Sequence, residues 1–144
     1  MDVRGQLLQT DSATMYDIAR YVIKPFTKQH SCSYAERVST APQQPAWVVL
    51  HWWGMPFKEL LTALEYHSKD RGTSTAPYWL AAFACNQHGG NGYEVEAGHQ
   101  QAIEEAMALA FGTVAVVDKE GRCFKRICYL HEAHLALTRN QVRS

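Results

Sequence analysis

A surplus of charge is the first thing this sequence lacks. Lys and Arg number 14, and so do Asp and Glu. Nothing therefore draws the chain to nucleic acid or to an anionic membrane surface, and neither is expected as a partner. Long apolar runs are missing as well. No stretch approaches the ~20 residues of a spanning helix, and the N-terminus has no apolar signal-peptide core. Cysteine is sparse and unpatterned. Cys32, Cys85, Cys123 and Cys128 include no Cys-x-x-Cys pair, so without a secretion signal they read as reduced thiols of a cytoplasmic protein. The sequence has no internal repeats and no low-complexity tracts.

What is present is the material of a core. Of 144 residues, 47% are apolar and 19% charged, which suits one folded domain and excludes disorder. Residues 1–45 read as an N-terminal helix and an extended connection, and 46–144 as an α/β domain. The organising stretch is Ala46 to Phe57. Its apolar opening, with Val48 and Val49, is too short for a helix and predicts a buried strand over 46–51. Gly54 and Pro56 break it, and a helical pattern follows from Phe57. His51, Trp52 and Trp53 thus stand where a strand gives way to a helix, the place where open α/β sheets bind ligands. The alternative is that one Trp closes the core and the other covers a partner surface.

Taken in order, residues 1–12 are polar and loose. A helix is expected from Ala13 to about Ile23, capped by Asp11 or Ser12 and ended by Lys24-Pro25. Residues 26–45 form a long connection with one short turn of helix or strand. After the first strand, Phe57, Leu60, Leu61 and Leu64 predict a helix over 57–69, stopped near Gly72. The uncharged run Tyr78 to Ala84 predicts a second buried strand, leading through Cys85-Asn86-Gln87-His88 into a Gly89–Gly92 loop. Ala102, Ile103, Ala106, Met107 and Ala110 are the inner stripe of a helix over 99–110, stopped by Gly112. Thr113 to Val117 is a third buried strand ending at Asp118, and Phe124 to Leu137 a last helix. Alternating strands and helices predict a parallel sheet with right-handed crossovers. Three strands are few for such a sheet, so it is small, gains from the N-terminal segment, or belongs to a longer protein.

The strand ends carry the candidate chemistry: His51-Trp52-Trp53, Cys85-Asn86-Gln87-His88 and Asp118. Glu132 is the acidic residue of the last helix, one turn from Cys128 and from Leu135 or Ala136. Among such neighbours a carboxylate has a raised pKa or stabilises a developing cation; the plainer reading is an exposed helix glutamate. Cys85 with His88, or Cys128 with His131 and His134, is poor metal-ligand spacing, and no metal is expected. Cys85 as a thiol nucleophile lacks an identified histidine partner.

The element order, with Gln101-Ala102-Ile103-Glu104-Glu105-Ala106 before the third strand and Arg126-Ile127-Cys128-Tyr129-Leu130-His131-Glu132-Ala133 after it, resembles a TIR (Toll/interleukin-1 receptor homology) domain. In that family an Ala-Ile pair opens the helix before the third strand, and the next helix carries Trp-Cys-x-x-Glu-Leu. More closely, the chain resembles a protist group with Ser-His-Trp-Trp-Gly-Glu-Pro, Tyr-Trp…Phe-Ala-Asn-Asn-Gln and Arg-Ile-Trp-Cys-x-x-Glu. Here these read Leu50 to Pro56, Tyr78-Trp79…Phe83-Ala84-Cys85-Asn86-Gln87 and Arg126-Ile127-Cys128-Tyr129…Glu132. That likeness covers about residues 14–137, and the likeness to TIR domains about 46–137. Met55, Cys128 and Tyr129 depart from the motifs' Glu, Trp and Cys, and the later TIR strands are missing.

The resemblance implies a flavodoxin-like three-layer sandwich with a short parallel sheet of three clear strands. It also implies NAD as a substrate rather than a cofactor, cleaved at the nicotinamide–ribose bond with Glu132 as the catalytic carboxylate. His51, Trp52, Trp53, Gly54, Asn86, Gln87 and Arg126 are then the expected nucleotide contacts, and a homo-oligomer through TIR-like surfaces the expected assembly. The alternative is a non-catalytic signalling scaffold acting by homotypic contacts.

Overall fold

The structure, a computed structural model, describes residues 8–89 and 92–141. In chain order, α1 (Met15–Ile18), a π-helical turn (Ala19–Ile23) and α2 (Lys24–Thr27) form one continuous helical run, followed by α3 (Tyr34–Val38). Next come β1 (Trp47–Leu50), α4 (Phe57–Arg71), β2 (Tyr78–Trp79), α5 (Ala81–Ala84) and α6 (Gly92–Leu109). β3 (Gly112–Ala115), a 3-10 turn (Arg122–Lys125) and α7 (Ile127–Gln141) complete the chain.

The sheet is open, all parallel and ordered β2-β1-β3. Alternation along β1 sends Val48 and Leu50 to one face and Val49 to the other. Val48 and Leu50 pack with Ile103, Ala106 and Met107 of α6 and with Tyr129 and Ala136 of α7. Val49 packs with Met15 and Ile23 of the N-terminal run and with Leu60 and Leu64 of α4. Helices therefore cover both faces, and the molecule is the expected small α/β sandwich. Among the described residues, no helix is long and apolar enough to cross a membrane.

The N-terminal run is tied to the loop after β1. Met15 N–H donates to Trp53 O at 3.0 Å and Phe57 N–H to Ala13 O at 2.7 Å. Its cap is Thr14 rather than Asp11 or Ser12. The Thr14 hydroxyl accepts from Asp17 N–H, and the Asp17 carboxylate accepts from Thr14 N–H at 2.9 Å, a reciprocal capping box. Asp11 instead forms an exposed ion pair with Lys58. Pro25 does not end the helix as expected. The chain widens just before it, with Lys24 N–H returning five residues to Ala19 O. A proline ring collides with the carbonyl four residues back in a regular helix, and a π turn relieves that crowding.

Other boundaries also differ from expectation. The second strand is only Tyr78–Trp79, because Ala84 and Cys85 N–H turn back to Leu80 and Ala81 O and make α5. Alanine favours that turn. α6 begins at Gly92, earlier than residue 99; Gly90 and Asn91 of the expected loop, like residues 1–7, lie outside the described residues. β3 is an edge strand, half-buried rather than buried. The last helix is broken, since Arg126 is extended (φ −103°, ψ 117°) between the 3-10 turn and α7. The connection 26–45 does hold one short helix, α3, boxed by Ser33 and Glu36.

Gly112 opens β3 rather than stopping α6, and its place is dictated by a neighbour. It pairs with Trp47 across β1, and a Cβ there would lie 2.7 Å from the Trp47 ring. That ring is itself held, with the His67 ring edge-on at 4.8 Å and the Arg71 guanidinium 5.7 Å from its centre. Gly112→Ala should therefore cost about 1–3 kcal/mol, seen as a lower urea midpoint with an unchanged slope; an unchanged midpoint would contradict the packing.

Candidate functional site

Beyond the carboxyl end of β1 lies a cleft of about 640 Å³. Its floor and walls come from the β1–α4 loop (His51, Trp52, Trp53), from α6 (His99, Gln100, Ile103) and from the start of α7 (Ile127 to Tyr129, and Glu132). Tyr16, Ala81, Gln87, Lys125 and Arg126 complete it. Of the residues singled out from sequence, His51, Trp52, Trp53, Gln87, Arg126 and Glu132 line it; Gly54 and Asn86 do not.

His51 is the first residue after β1 and is 9% exposed. Its Nδ1 lies 3.4 Å from Trp52 O, and its Nε2 has no partner among the described residues. Burial strips water from the imidazolium and pushes the pKa down to about 4, against a smaller upward pull from the Trp52 carbonyl. The ring is neutral at pH 7. With Nδ1–H directed at the carbonyl, Nε2 is left as an acceptor.

Trp52 reaches both cores. Its indole lies directly over Gly54, where any Cβ would run into the ring. That is the role of Gly54, and it explains why this glycine touches the cleft only through Trp52. The guanidiniums of Arg122 and Arg126 each stand 5.8 Å from the Trp52 ring centre. Trp52 Nε1 is buried and unpartnered among the described residues, as is Nε2 of Gln100. Trp53 lies 5.6 Å from Tyr16 and 6.1 Å from His99 between ring centres, with the rings tilted by 59° and 38°.

Gln87 is buried, and its amide nitrogen faces the carbonyls of Ala81, Ala82 and Cys85 at 3.1–3.4 Å and His99 Nε2 at 3.3 Å. Its donors therefore close off the end of α5. Asn86 is exposed and spans the neighbouring turn, donating to Ser31 O at 2.6 Å and accepting from His88 N–H at 2.8 Å.

Glu132 stands one turn beyond Tyr129 and Cys128. Among the described residues no hydrogen bond or ion pair holds its carboxylate. Burial alone pushes its pKa up to about 7. Asp118 shows what Glu132 is missing. Burial opposes its ionisation too, but the N–H groups of Cys123 (2.8 Å) and Arg122 (2.9 Å) outweigh it and hold Asp118 below the usual carboxylate range. Asp118 is thus the cap of the 3-10 turn and not a cleft residue. Cys85 is buried and its thiol is pushed up to about 11, which leaves little thiolate at neutral pH. No group of three or more His, Cys, Asp or Glu among the described residues is placed to hold a metal.

Sequence reasoning missed Tyr16, His99, Gln100 and Lys125. Two had a readable signal: His99 and Gln100 stand four and three residues before Ile103, on the face already assigned to the core. No family model, curated protein or solved structure matches the chain.

Glu132 and His51 give opposite pH slopes. Folded Glu132 keeps its proton longer than unfolded chain does, so stability falls as pH rises from the ordinary value of 4.5 to about 7. Folded His51 resists protonation, so stability falls as pH drops from the ordinary 6.5 to about 4. Between these limits the slopes offset each other, each at most about 1.4 kcal/mol per pH unit. Relative to wild type in urea unfolding, Glu132→Gln should gain stability with rising pH. His51→Gln should lose it over the same range. Parallel profiles for all three proteins would rule out both shifts.

Proposed function

We propose that the chain is a TIR-like domain that binds NAD in this cleft and hydrolyses its nicotinamide–ribose bond, in a signalling role. The observation that carries the reading is Glu132: a carboxylate without a hydrogen-bond or ion-pair partner among the described residues, in one cleft with Trp52, Trp53 and Arg126. Three residues that line the cleft, His51, Trp52 and Gln100, each carry a buried polar atom without a partner among the described residues. Buried polar groups are ordinarily satisfied, so a ligand is a natural complement.

The chemistry runs as follows. The bond from ribose C1′ to the nicotinamide nitrogen breaks, and its electron pair neutralises the pyridinium. Positive charge passes to C1′ and the ring oxygen, where the Glu132 carboxylate stabilises it. Water then adds at C1′, and Glu132 accepts its proton. The indoles stack on a base or on nicotinamide, and His51 Nε2 accepts a hydrogen bond.

A second reading, homotypic scaffolding without catalysis, is favoured by one observation. Phe111, just before β3, is 82% exposed, a large apolar side chain open to solvent. If it mediates self-association, sedimentation should show a concentration-dependent dimer that Phe111→Ser abolishes.

The catalytic reading is tested by nicotinamide release from NAD. Turnover should rise with pH and level above about 7, as Glu132 ionises. Glu132→Gln should lower it on the order of 10²-fold or more. Turnover unaffected by that substitution would remove Glu132 from the mechanism, and no turnover by wild type at high protein concentration would remove the enzyme.

A further inference from the structure

The geometry points to the outer edge of β3 as a dimer interface, where a second copy of this chain pairs antiparallel and joins two small sheets into one. The inference is independent of NAD cleavage. It deepens the homotypic reading and rests on it, by naming the contact.

The two edges of the sheet are unlike. β2 is two residues long, follows Pro77 and runs almost directly into α5. An edge so short, with a proline beside it, offers little to a second strand. β3 has neither guard. From Phe111 to Val117 the chain has no charged residue and no proline. Thr113, Val114, Val116 and Val117 are β-branched, which suits them to strands.

The ladder with β1 fixes which backbone groups of this edge are unused. Val114 stands opposite Val49, and Val116 N–H donates to Leu50 O at 2.8 Å. In a parallel pair, alternate residues bond to the same neighbour. Gly112, Val114 and Val116 therefore serve β1, while the N–H and C=O groups of Thr113 and Ala115 point the other way. No hydrogen bond among the described residues takes them up. Such a row of donors and acceptors is a template for another strand.

An open edge alone does not name its occupant, and here the side chains do. A two-fold axis at Val114 sets Thr113 opposite the partner's Ala115, so that each pair exchanges both N–H···O bonds. The same register sets Phe111 opposite the partner's Val117. These are large apolar side chains that the fold leaves open, 82% and 51% exposed. Alternation puts both on the side of the strand that carries Thr113 and Ala115. One register thus satisfies the free backbone groups and covers the exposed apolar ones, and it brings no like charges together. The edge is complementary to itself, which is what an isologous dimer requires.

The test joins sedimentation with amide hydrogen exchange on the full chain. Wild type should dimerise, and exchange at Thr113 and Ala115 should slow at least about tenfold as protein concentration rises through the transition. Ala115→Pro removes an outward donor but no bond to β1, so it should keep the fold and weaken the dimer about tenfold or more. Phe111→Asp should weaken it as well. Phe111→Asp/Val117→Lys should restore it, because the register places each carboxylate opposite the partner's ammonium. Along one extended strand the two positions are too far apart to pair with each other. Both are exposed, a matching thermal transition confirms folding, and this pair decides the question even if the proline variant fails to fold.

A wild type that stays monomeric at high concentration overturns the interface. A dimer whose Thr113 and Ala115 amides exchange as fast as in the monomer leaves self-association standing and removes the edge. A dimer that survives Ala115→Pro in a folded chain, or that the double variant fails to restore, overturns the edge pairing.

Discussion

The structure depends on β1 being buried on both faces while only four residues long. It is the one strand with a neighbour on each side, and both cores hang on Val48, Val49 and Leu50. A strand that short delivers its next residues directly to the rim where the two cores meet. Trp52 consequently packs against both, and Trp53 leans on Tyr16 of the N-terminal run. In a larger sheet, separate residues would close the core and line a ligand site. Here the same indoles do both, and this is why His51 beneath them is almost stripped of water.

Burial alone does not decide the charge of such a site. Asp118 and Glu132 are both carboxylates drawn out of water, yet they move in opposite directions. Two backbone N–H groups answer Asp118, and none answers Glu132. The imidazole of His51 is equally unanswered on one side. The interior of the cleft thus holds a neutral imidazole and a carboxyl group that titrates near physiological pH, while Lys125 and Arg126 stand at its rim. An anionic group of a ligand would be drawn outward, away from the Glu132 carboxylate and toward the two cations.

Much of this was legible in the sequence, and what was not has identifiable causes. The strand at 46–51 and the helix from Phe57 were readable because valine pairs and helical spacing leave little choice. Tyr78 to Ala84 was not, because an uncharged run looks the same as a buried strand or as a strand followed by one helical turn. His99 and Gln100 were hidden in a stripe read as core. Lys125 was hidden because the helix was taken to run unbroken through Arg126, which would have turned both cations elsewhere. Glu132 stood out in the sequence as the acidic residue of the last helix, set among small and apolar neighbours. It is the packing of α7 against α6 and β1 that brings that residue into one cleft with Trp52 and Trp53.

The π turn before Pro25 has a consequence for how a helix keeps its bearing. Met15, Ala19, Ile23 and Thr27 are all buried, at intervals of four residues. In a regular α-helix each such step overshoots a full turn by about 40°, so three steps would swing the stripe about 120° around the axis. The wider turn between Ala19 and Ile23 winds more slowly and takes back part of that drift. Thr27 therefore still faces the protein, where its hydroxyl meets Ile23 O at 2.7 Å and His88 Nε2 at 2.7 Å. A strict four-residue rhythm running up to a proline is thus a phase-locked pattern, legible in sequence as a helix that must be locally unwound to keep one side inward.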